Sequence, residues 1–218
     1  QFGPFGALPQ HGFARTVRWA VHDDTRRDVG GVTLRLTHHD VAAQRPASEV
    51  TAWPHAFTLD AIVQVTGDTL AVRLEASNTG GADFTFTAAL HPYLAVADAQ
   101  ATSVEGLTGL TYRDALLGGA MRREEGRTLP ITGALDRLYY DAPDTLVIRE
   151  PHRGLRVEKA GFPDAVVWNP GPSITASKRD FEPGDEERMV CVEAAVVGRP
   201  IVLAPGEQWV GVQRMAAI

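Results

Sequence analysis

Short runs of alternating apolar and polar residues, separated by turn residues, fill most of this 218-residue chain. Residues 57–65 and 69–76 alternate with a period of two, and the Gly-containing connection between them predicts a β-hairpin. The other runs predicted as strands are residues 32–38, 84–90, 145–149, 155–159, 165–168, 189–192, 201–203 and 209–215. Because these short intervals do not suit helical crossovers, the pattern favours an antiparallel β-sandwich or barrel.

The pattern also predicts the domain organisation. We expect one all-β domain spanning residues 1–218, because no internal repeat, low-complexity stretch or linker interrupts it. Residues 180–188 could hold one short helical turn. The chain opens on a glycine- and aromatic-rich segment without an initiator methionine, so we expect that it begins inside a fold whose first strands precede Gln1.

Composition limits the classes of partner. A hydrophobic content of 44% and a charged content of 22% are ordinary for a globular protein, and no apolar run reaches membrane-spanning length. The net charge of -6 argues against nucleic acid or an anionic membrane as the main partner. The single cysteine, Cys191, excludes an internal disulfide framework and fits a reducing compartment, so we expect a cytoplasmic protein.

Several well-known catalytic and cofactor-binding motifs are absent from the sequence. It contains no phosphate-binding P-loop, no dinucleotide-binding glycine fingerprint and no nucleophile elbow. The seven histidines include no H-x-x-x-H pair, and one cysteine cannot build a thiolate metal cluster. We therefore predict neither a metal nor a cofactor.

Two ionisable residues stand out because each interrupts an apolar run. His91 ends such a run and precedes a proline, although a histidine in this context is more often a satisfied core residue. Glu193 lies within the apolar segment 190–197, and a buried carboxylate must be paired or functional. A structural ion pair and a catalytic role explain Glu193 equally well. Arg15, four residues after His11, could be a surface residue, and Asp136 could simply cap a turn.

An ordered set of motifs resembles the hexose-6-phosphate mutarotases (glucose-6-phosphate 1-epimerases) of the aldose 1-epimerase superfamily. The matching stretches, in family order along nearly the whole chain, are residues 2–4 (FGP), 8–15 (LPQHGFAR) with Trp19, 53–57 (WPHAF), 89–96 (ALHPYLAV), 136–139 (DRLY), 167–171 (VWNPG), 180–181 (DF), 189–193 (MVCVE) and 203–207 (LAPGE). The resemblance implies an antiparallel β-sandwich of the galactose-mutarotase type, with the sugar in a groove on one sheet.

The resemblance also assigns roles to residues. It implies that His91 is the catalytic histidine and Glu193 the catalytic carboxylate. It implies further that His11 contacts the sugar, Arg15 the phosphate and Asp136 a sugar hydroxyl. The implied partner is a small sugar phosphate, bound by a monomer or weak homo-oligomer without a cofactor. The family's Arg-Gly-Gly segment, whose arginine helps to hold the phosphate, does not precede residues 2–4 here, so it lies upstream of Gln1 or part of the phosphate site is missing.

The implied reaction interconverts the α and β anomers of hexose 6-phosphates by ring opening and closure. Reference pKa values of about 4.3 for Glu and about 6.5 for His make Glu193 the base and His91 the acid in mildly acidic water. We therefore expect both side chains to point into one groove, with a gap between them that one pyranose ring can fill. The alternatives are a non-catalytic carbohydrate-binding sandwich, a general aldose 1-epimerase without phosphate selectivity, and a glycosidase that uses Glu193 and Asp136.

Overall fold

The computed structural model describes residues 9–22 and 30–218. Residue contacts divide the chain into two compact units, which are Gln1–Ala88 with Arg199–Val212 (unit 1) and Ala89–Gly198 with Gln213–Ile218 (unit 2). The segment 2–4 that contributed to the family resemblance lies outside the described residues. The expectation of one domain stays a prediction.

Strands dominate the described secondary structure of both units. They are β1 (Ala20–His22), β2 (Gly31–Thr37), β3 (Phe57–Thr66), β4 (Thr69–Asn78), β5 (Phe84–Leu90), β6 (Leu94–Ala95), β7 (Ser103–Glu105), β8 (Thr111–Asp114), β9 (Ala120–Arg123), β10 (Thr128–Pro130), β11 (Leu135–Tyr139), β12 (Thr145–Arg149), β13 (Gly154–Ala160), β14 (Asp164–Asn169), β15 (Met189–Leu203) and β16 (Gln208–Ala217). The α-helices are α1 (His38–Gln44), α2 (Ala47–Ala52) and α3 (Gly171–Ser177), and 3₁₀ turns occur at Ala14–Thr16, Ala99–Ala101, Ala115–Leu117 and Asp185–Arg188.

Unit 1 is built on an antiparallel sheet with the strand order β1-β2-β3-β4-β16. The predicted hairpin is confirmed, since β3 and β4 pair from Phe57 opposite Asn78 to Thr66 opposite Thr69. One face is polar and carries the ion pair between Arg35 and Asp60, whose Nε and Oδ1 atoms lie 2.7 Å apart. The opposite side of the sheet contributes to a hydrophobic core, whose buried members are Val17, Leu36, Val41, Phe57, Ala76, Phe84 and Leu203.

The two helices that follow β2 were missed by the sequence analysis. The strand predicted over residues 32–38 ends at Thr37, and His38 begins α1. Thr37 and Asp40 form a reciprocal cap, because Thr37 Oγ1 accepts a hydrogen bond from the Asp40 amide while Asp40 Oδ2 accepts one from the Thr37 amide. The Thr37 hydroxyl, which donates to the same Asp40 Oδ2 at 2.6 Å, lowers the pKa of Asp40 most, and the bond from the Thr37 amide lowers it further. The cap thus ends the strand one residue before the predicted position.

Unit 2 contains antiparallel strands in two sheets. One follows the order β15-β14-β11-β8-β9, with β6 also paired to β15, and the other follows β16-β13-β12-β7-β10. The core includes the fully buried side chains of Val104, Leu107, Ile131, Tyr139, Leu146, Ile148, Phe162, Val167, Val190 and Val192. The described pairings in both units confirm the predicted antiparallel all-β class. Within the described ranges, no helix is both long and apolar enough to cross a membrane.

Strand β15 is much longer than the sequence predicted. Residues 189–192 and 201–203 were expected to be separate strands, but they are the two ends of one 15-residue strand. Gly198 lies between them without forming a turn, because the Tyr140 ring packs against it so closely that a Cβ atom would lie 2.7 Å from Cδ1. The Asp164 carboxylate accepts hydrogen bonds from the amides of Val197 and Gly198. The glycine therefore serves close packing within a continuous strand.

A buried asparagine connects the end of β14 to the beginning of β15. The amide nitrogen of Asn169 donates to the carbonyl oxygens of Glu186 (2.8 Å) and Met189 (2.9 Å), and its Oδ1 accepts from the Gly171 amide (2.9 Å). Gly171 has a φ of +62°, and a Cβ atom there would lie 2.7 Å from Ala134 Cβ. This turn fixes how the chain leaves β14 and enters α3.

A matched pair of glycine substitutions separates the close packing at Gly171 from its backbone strain. Gly118 has a nearly identical φ of +66° but open space around the Cβ position. We expect Gly118→Ala to lower the free energy of unfolding by about 1–2 kcal/mol through left-handed strain alone. Gly171→Ala should lower it by a further 1–3 kcal/mol, roughly, because the methyl group overpacks the turn. Urea unfolding curves of both variants test this, and equal losses would contradict the packing argument.

Candidate active site

The histidine singled out by the sequence lies between two short strands. His91 directly follows β5, and two residues later β6 pairs with the start of β15, with Leu94 opposite Val190 and Ala95 opposite Met189. Pro92 favours an extended backbone at His91, because the proline ring disfavours the helical conformation of the residue before it. The chain around His91 is thereby held against β15 of unit 2.

The two residues proposed as catalytic are in direct contact. His91 Nε2 lies 3.2 Å from Glu193 Oε1, and the side chains are 40% and 5% exposed, respectively. All residues of β15 from Met189 to Val196 are buried. A buried carboxylate needs a polar partner, and the half-exposed imidazole lies within ion-pair distance of it. The sequence analysis could not decide whether Glu193 forms a structural ion pair or has a catalytic role. In the structure its ion-pair partner is His91, the other residue proposed as catalytic.

This contact corrects one expectation. We predicted a gap between His91 and Glu193 that one pyranose ring could fill, and at 3.2 Å no such gap exists. The physical reason is the burial of Glu193, which makes a hydrogen bond to the nearest donor more favourable than an unpaired carboxylate. A sugar ring that binds between the two groups must therefore separate them.

Strand register places Asp136 on the same sheet face as Glu193. Asp136 on β11 lies opposite Trp168 on β14, which lies opposite Cys191 on β15. Residues directly opposite each other in a sheet point to the same face, and so do residues two positions apart along a strand. Cys191 and Glu193 are two apart, so Asp136, Trp168 and Glu193 share one face. The alternative that Asp136 caps a turn is wrong.

Burial and neighbouring charges change the acidity of both carboxyl groups. Burial raises the pKa of Glu193 to about 8, and the Asp136 carboxylate acts in the same direction. The pKa of Asp136 is itself raised by burial and by Asp114, while the positive charge of Arg113 opposes this increase. The expectation that Glu193 ionises near its reference pKa of about 4.3 is therefore wrong. At 3.2 Å, His91 Nε2 and Glu193 Oε1 are close enough for a proton to pass between them.

Aromatic rings surround the imidazole of His91. The Tyr93 ring stacks on it with a centroid distance of 4.9 Å and an interplanar angle of 20°, and Trp168 approaches edge-on at 5.6 Å. Both aromatic residues lie within motifs that the sequence analysis quoted, but neither was assigned a role. Their contact with His91 depends on the pairing of β6 with β15, which no local pattern shows.

His11 and Arg15 lie close together in unit 1. Arg15 is part of the 3₁₀ turn Ala14–Thr16, and its Nη2 donates to the carbonyl oxygen of Gln10 at 3.3 Å. Burial lowers the pKa of His11, and the positive charge of Arg15 lowers it further. The next strand along the chain is β1, Ala20–His22. The structure thus brings His91, Glu193 and Asp136 together in unit 2, and His11 with Arg15 in unit 1.

The raised pKa of Glu193 makes stability depend on pH in a defined direction. A carboxyl group whose pKa is higher in the folded state contributes fully to the stability of that state below its unfolded pKa, which is about 4.3. This contribution is lost as the pH rises through the folded pKa, which is about 8 for Glu193. We expect the free energy of unfolding of the wild type, relative to Glu193→Gln, to fall between pH 5 and pH 8 by more than about 1.4 kcal/mol, the equivalent of one pKa unit. Denaturant unfolding of both proteins across this range measures the difference. If the free energies of unfolding of the two proteins change in parallel with pH, folding does not raise the pKa of Glu193.

Comparison with known proteins agrees with the fold and shows the family. The family profile described as "Aldose 1-epimerase" matches residues 1–216. A "Putative glucose-6-phosphate 1-epimerase" from Cenchrus ciliaris is 35% identical over 224 residues, covering 100% of this chain and 68% of the relative. A protein of the same name from Escherichia coli (strain K12) is 32% identical over 201 residues, covering 89% of this chain and 63% of the relative.

A solved structure is similar to this chain over nearly its whole length. The crystal structure of a "putative mutarotase (YeaD)" from Salmonella typhimurium superimposes with a TM-score of 0.80 and 29% sequence identity, covering 99% of this chain and 70% of that chain. It confirms the predicted mutarotase type of β fold. The chain spans 63% to 68% of the length of the curated relatives that it matches. Because the family profile matches residues 1–216 of the 218 in this chain, the chain belongs to the aldose 1-epimerase family.

Proposed function

We propose that this chain interconverts the α and β anomers of hexose 6-phosphates, glucose 6-phosphate among them, by acid–base catalysis. The observation that carries the proposal is the contact of His91 Nε2 with the buried Glu193 Oε1, in a chain of the aldose 1-epimerase family. The names of the relatives from Cenchrus ciliaris and Escherichia coli support hexose 6-phosphate as the substrate class. We also propose that the protein works as a monomer or weak homo-oligomer in the cytoplasm.

The reaction needs two proton transfers that offset each other. The Glu193 carboxylate takes the proton of the anomeric hydroxyl while the His91 imidazolium gives a proton to the ring oxygen. The bond between C1 and the ring oxygen breaks, and C1 becomes an aldehyde carbon. After the aldehyde rotates about the C1–C2 bond, His91 takes back the hydroxyl proton, and Glu193 returns its proton to the carbonyl oxygen as the ring closes. No proton, electron or cofactor is consumed.

The direct contact between the two side chains suits this cycle. A pair that holds one proton has one member ready to donate and one ready to accept, and the sugar's hydroxyl and ring oxygens would replace the mutual contact. Activity requires that the pair holds one proton rather than two or none. We therefore expect a bell-shaped dependence of the exchange rate on pH whose two limbs belong to the pair and not to either residue alone.

The remaining site residues would hold the substrate. Asp136 shares a sheet face with Glu193 and is proposed to accept a hydrogen bond from a sugar hydroxyl. His11 is proposed to contact the sugar, and Arg15 the phosphate. A guanidinium group suits a phosphate because its planar fork can donate to two oxygens at once.

The family profile itself supports a second candidate, a general aldose 1-epimerase without phosphate selectivity. It would use the same pair and the same proton transfers, and only the role of Arg15 would differ. The contact between Glu193 and His91 favours both epimerase hypotheses over a glycosidase, which needs two carboxyl groups that flank the scissile bond. A non-catalytic sugar-binding protein would have no need of a shared proton.

Removing either member of the pair tests the mechanism. Glu193→Gln keeps the size of the side chain but removes the base, so the rate of anomer exchange should fall at least about a hundredfold. His91→Asn should have a similar effect through loss of the acid. Exchange spectroscopy by NMR on glucose 6-phosphate measures the rate. Glu187→Gln, at an exposed carboxyl group in the turn before β15, is the matched control and should retain the rate. A near-normal rate in either pair variant would overturn the assignment.

A second substitution tests phosphate recognition. Arg15→Ala should reduce the specificity constant for glucose 6-phosphate by about ten- to a hundredfold, since a charge-assisted hydrogen bond contributes about 1.5–3 kcal/mol. The slow exchange of free glucose should change little. Arg18→Ala, three residues further on and also exposed, is the control. Equal losses on both sugars would point to the general aldose 1-epimerase instead.

A further inference from the structure

Tyr93 covers one face of the His91 imidazole. The two ring centroids lie 4.9 Å apart and the ring planes are inclined by only 20°. Tyr93 is 58% exposed, although a tyrosine ring is largely apolar. The ring is therefore held against His91 without being part of the buried core of unit 2.

Neighbouring elements hold Tyr93 in this place. Trp168 on β14 approaches its ring edge-on with a centroid distance of 6.0 Å, and Phe181 lies at 6.1 Å. Immediately after Tyr93, the pairing of Leu94 with Val190 attaches the backbone to β15, the strand that carries Glu193. The position of Tyr93 is thus fixed relative to both members of the pair.

A histidine ring needs such support. Rotation about the bond between Cβ and the imidazole has a broad energy profile, so the rotamer itself orients the ring only weakly. The side chain of His91 is 40% exposed, and its contact with Glu193 restrains the ring at Nε2. The face of Tyr93 and the edge of Trp168, 5.6 Å from the imidazole, restrict the plane of the ring. In that plane Nε2 points towards Glu193 Oε1.

We propose that Tyr93 is a positioning residue for His91, whose ring it stacks against so that Nε2 stays aligned for proton transfer. The aromatic face also attracts the imidazolium form electrostatically. The phenol hydroxyl has no part in this role, because stacking involves only the ring. The effect on catalysis rests on the proposed function, whereas the effect on the orientation of the imidazole does not.

Two substitutions at Tyr93, examined by NMR, test the orientation. A stacked aromatic ring shifts the resonances of the imidazole carbons and their protons through its ring current, and His91→Asn identifies which signals belong to His91. Tyr93→Leu should move these signals towards the values of an unstacked histidine, whereas Tyr93→Phe should leave them close to the wild type. Signals that stay in place in Tyr93→Leu would overturn the proposal whatever the activity.

Kinetics test the catalytic consequence. Tyr93→Leu should lower kcat for anomer exchange by about tenfold with little change in KM, because a misaligned acid slows proton transfer but does not weaken sugar binding. Tyr93→Phe should restore most of the rate. Phe181→Leu, which removes one of the rings packed against Tyr93 and Trp168, should lower kcat and shift the His91 signals much less than Tyr93→Leu does, because Tyr93 itself stays stacked on the imidazole.

The outcomes separate this proposal from the proposed function. If Phe181→Leu and Tyr93→Leu lower kcat equally, or if the His91 signals move without a loss of kcat, Tyr93 does not position His91 for catalysis. If the wild type exchanges neither glucose 6-phosphate nor glucose, the proposed function fails, and the NMR signals of the variants still decide whether Tyr93 orients the imidazole.

Discussion

The contact between His91 and the buried Glu193 is the interaction on which the site depends. Eight consecutive residues of β15 are buried, and a carboxyl group among them would be costly without a partner. His91 supplies that partner at 3.2 Å, and burial raises the pKa of Glu193 to about 8. The same contact therefore gives a buried polar group a partner and, in the proposed mechanism, brings together the two groups that transfer protons.

Other buried polar groups hold the strands that carry the pair. Gln213 on β16 donates a hydrogen bond of 2.8 Å to the carbonyl oxygen of Val192, next to Glu193. Asn169 connects the end of β14 to the first residue of β15, and Asp164 binds the amides of Val197 and Gly198 at the far end of the buried stretch. Each of these side chains satisfies backbone groups of β15 or its neighbours, so the backbone around Glu193 is fixed at several points.

Much of the strand pattern could be predicted, because alternation with a period of two is a local signal of a half-buried strand. The predictions failed where a local capping signal was overlooked and where tertiary contacts outweighed local preference. The capping box of Thr37 and Asp40 turns a predicted strand end into α1, and the close approach of Tyr140 to Gly198 keeps β15 continuous across an expected break. The aromatic enclosure of His91 by Tyr93 and Trp168 was missed because it depends on which strands pair.

By itself the sequence determined the antiparallel β class, the family resemblance, and the identity of His91 and Glu193 as the two ionisable residues in otherwise apolar runs. Local composition is enough for these inferences, since an ionisable residue in a strand expected to be buried must have a reason to be there. Only the tertiary structure decided that the two are each other's partners, that Asp136 shares their sheet face, and that Glu193 holds its proton far above its reference pKa. Distances, register and burial depend on long-range pairing, and about a hundred residues of sequence separate the two groups that the fold brings into contact.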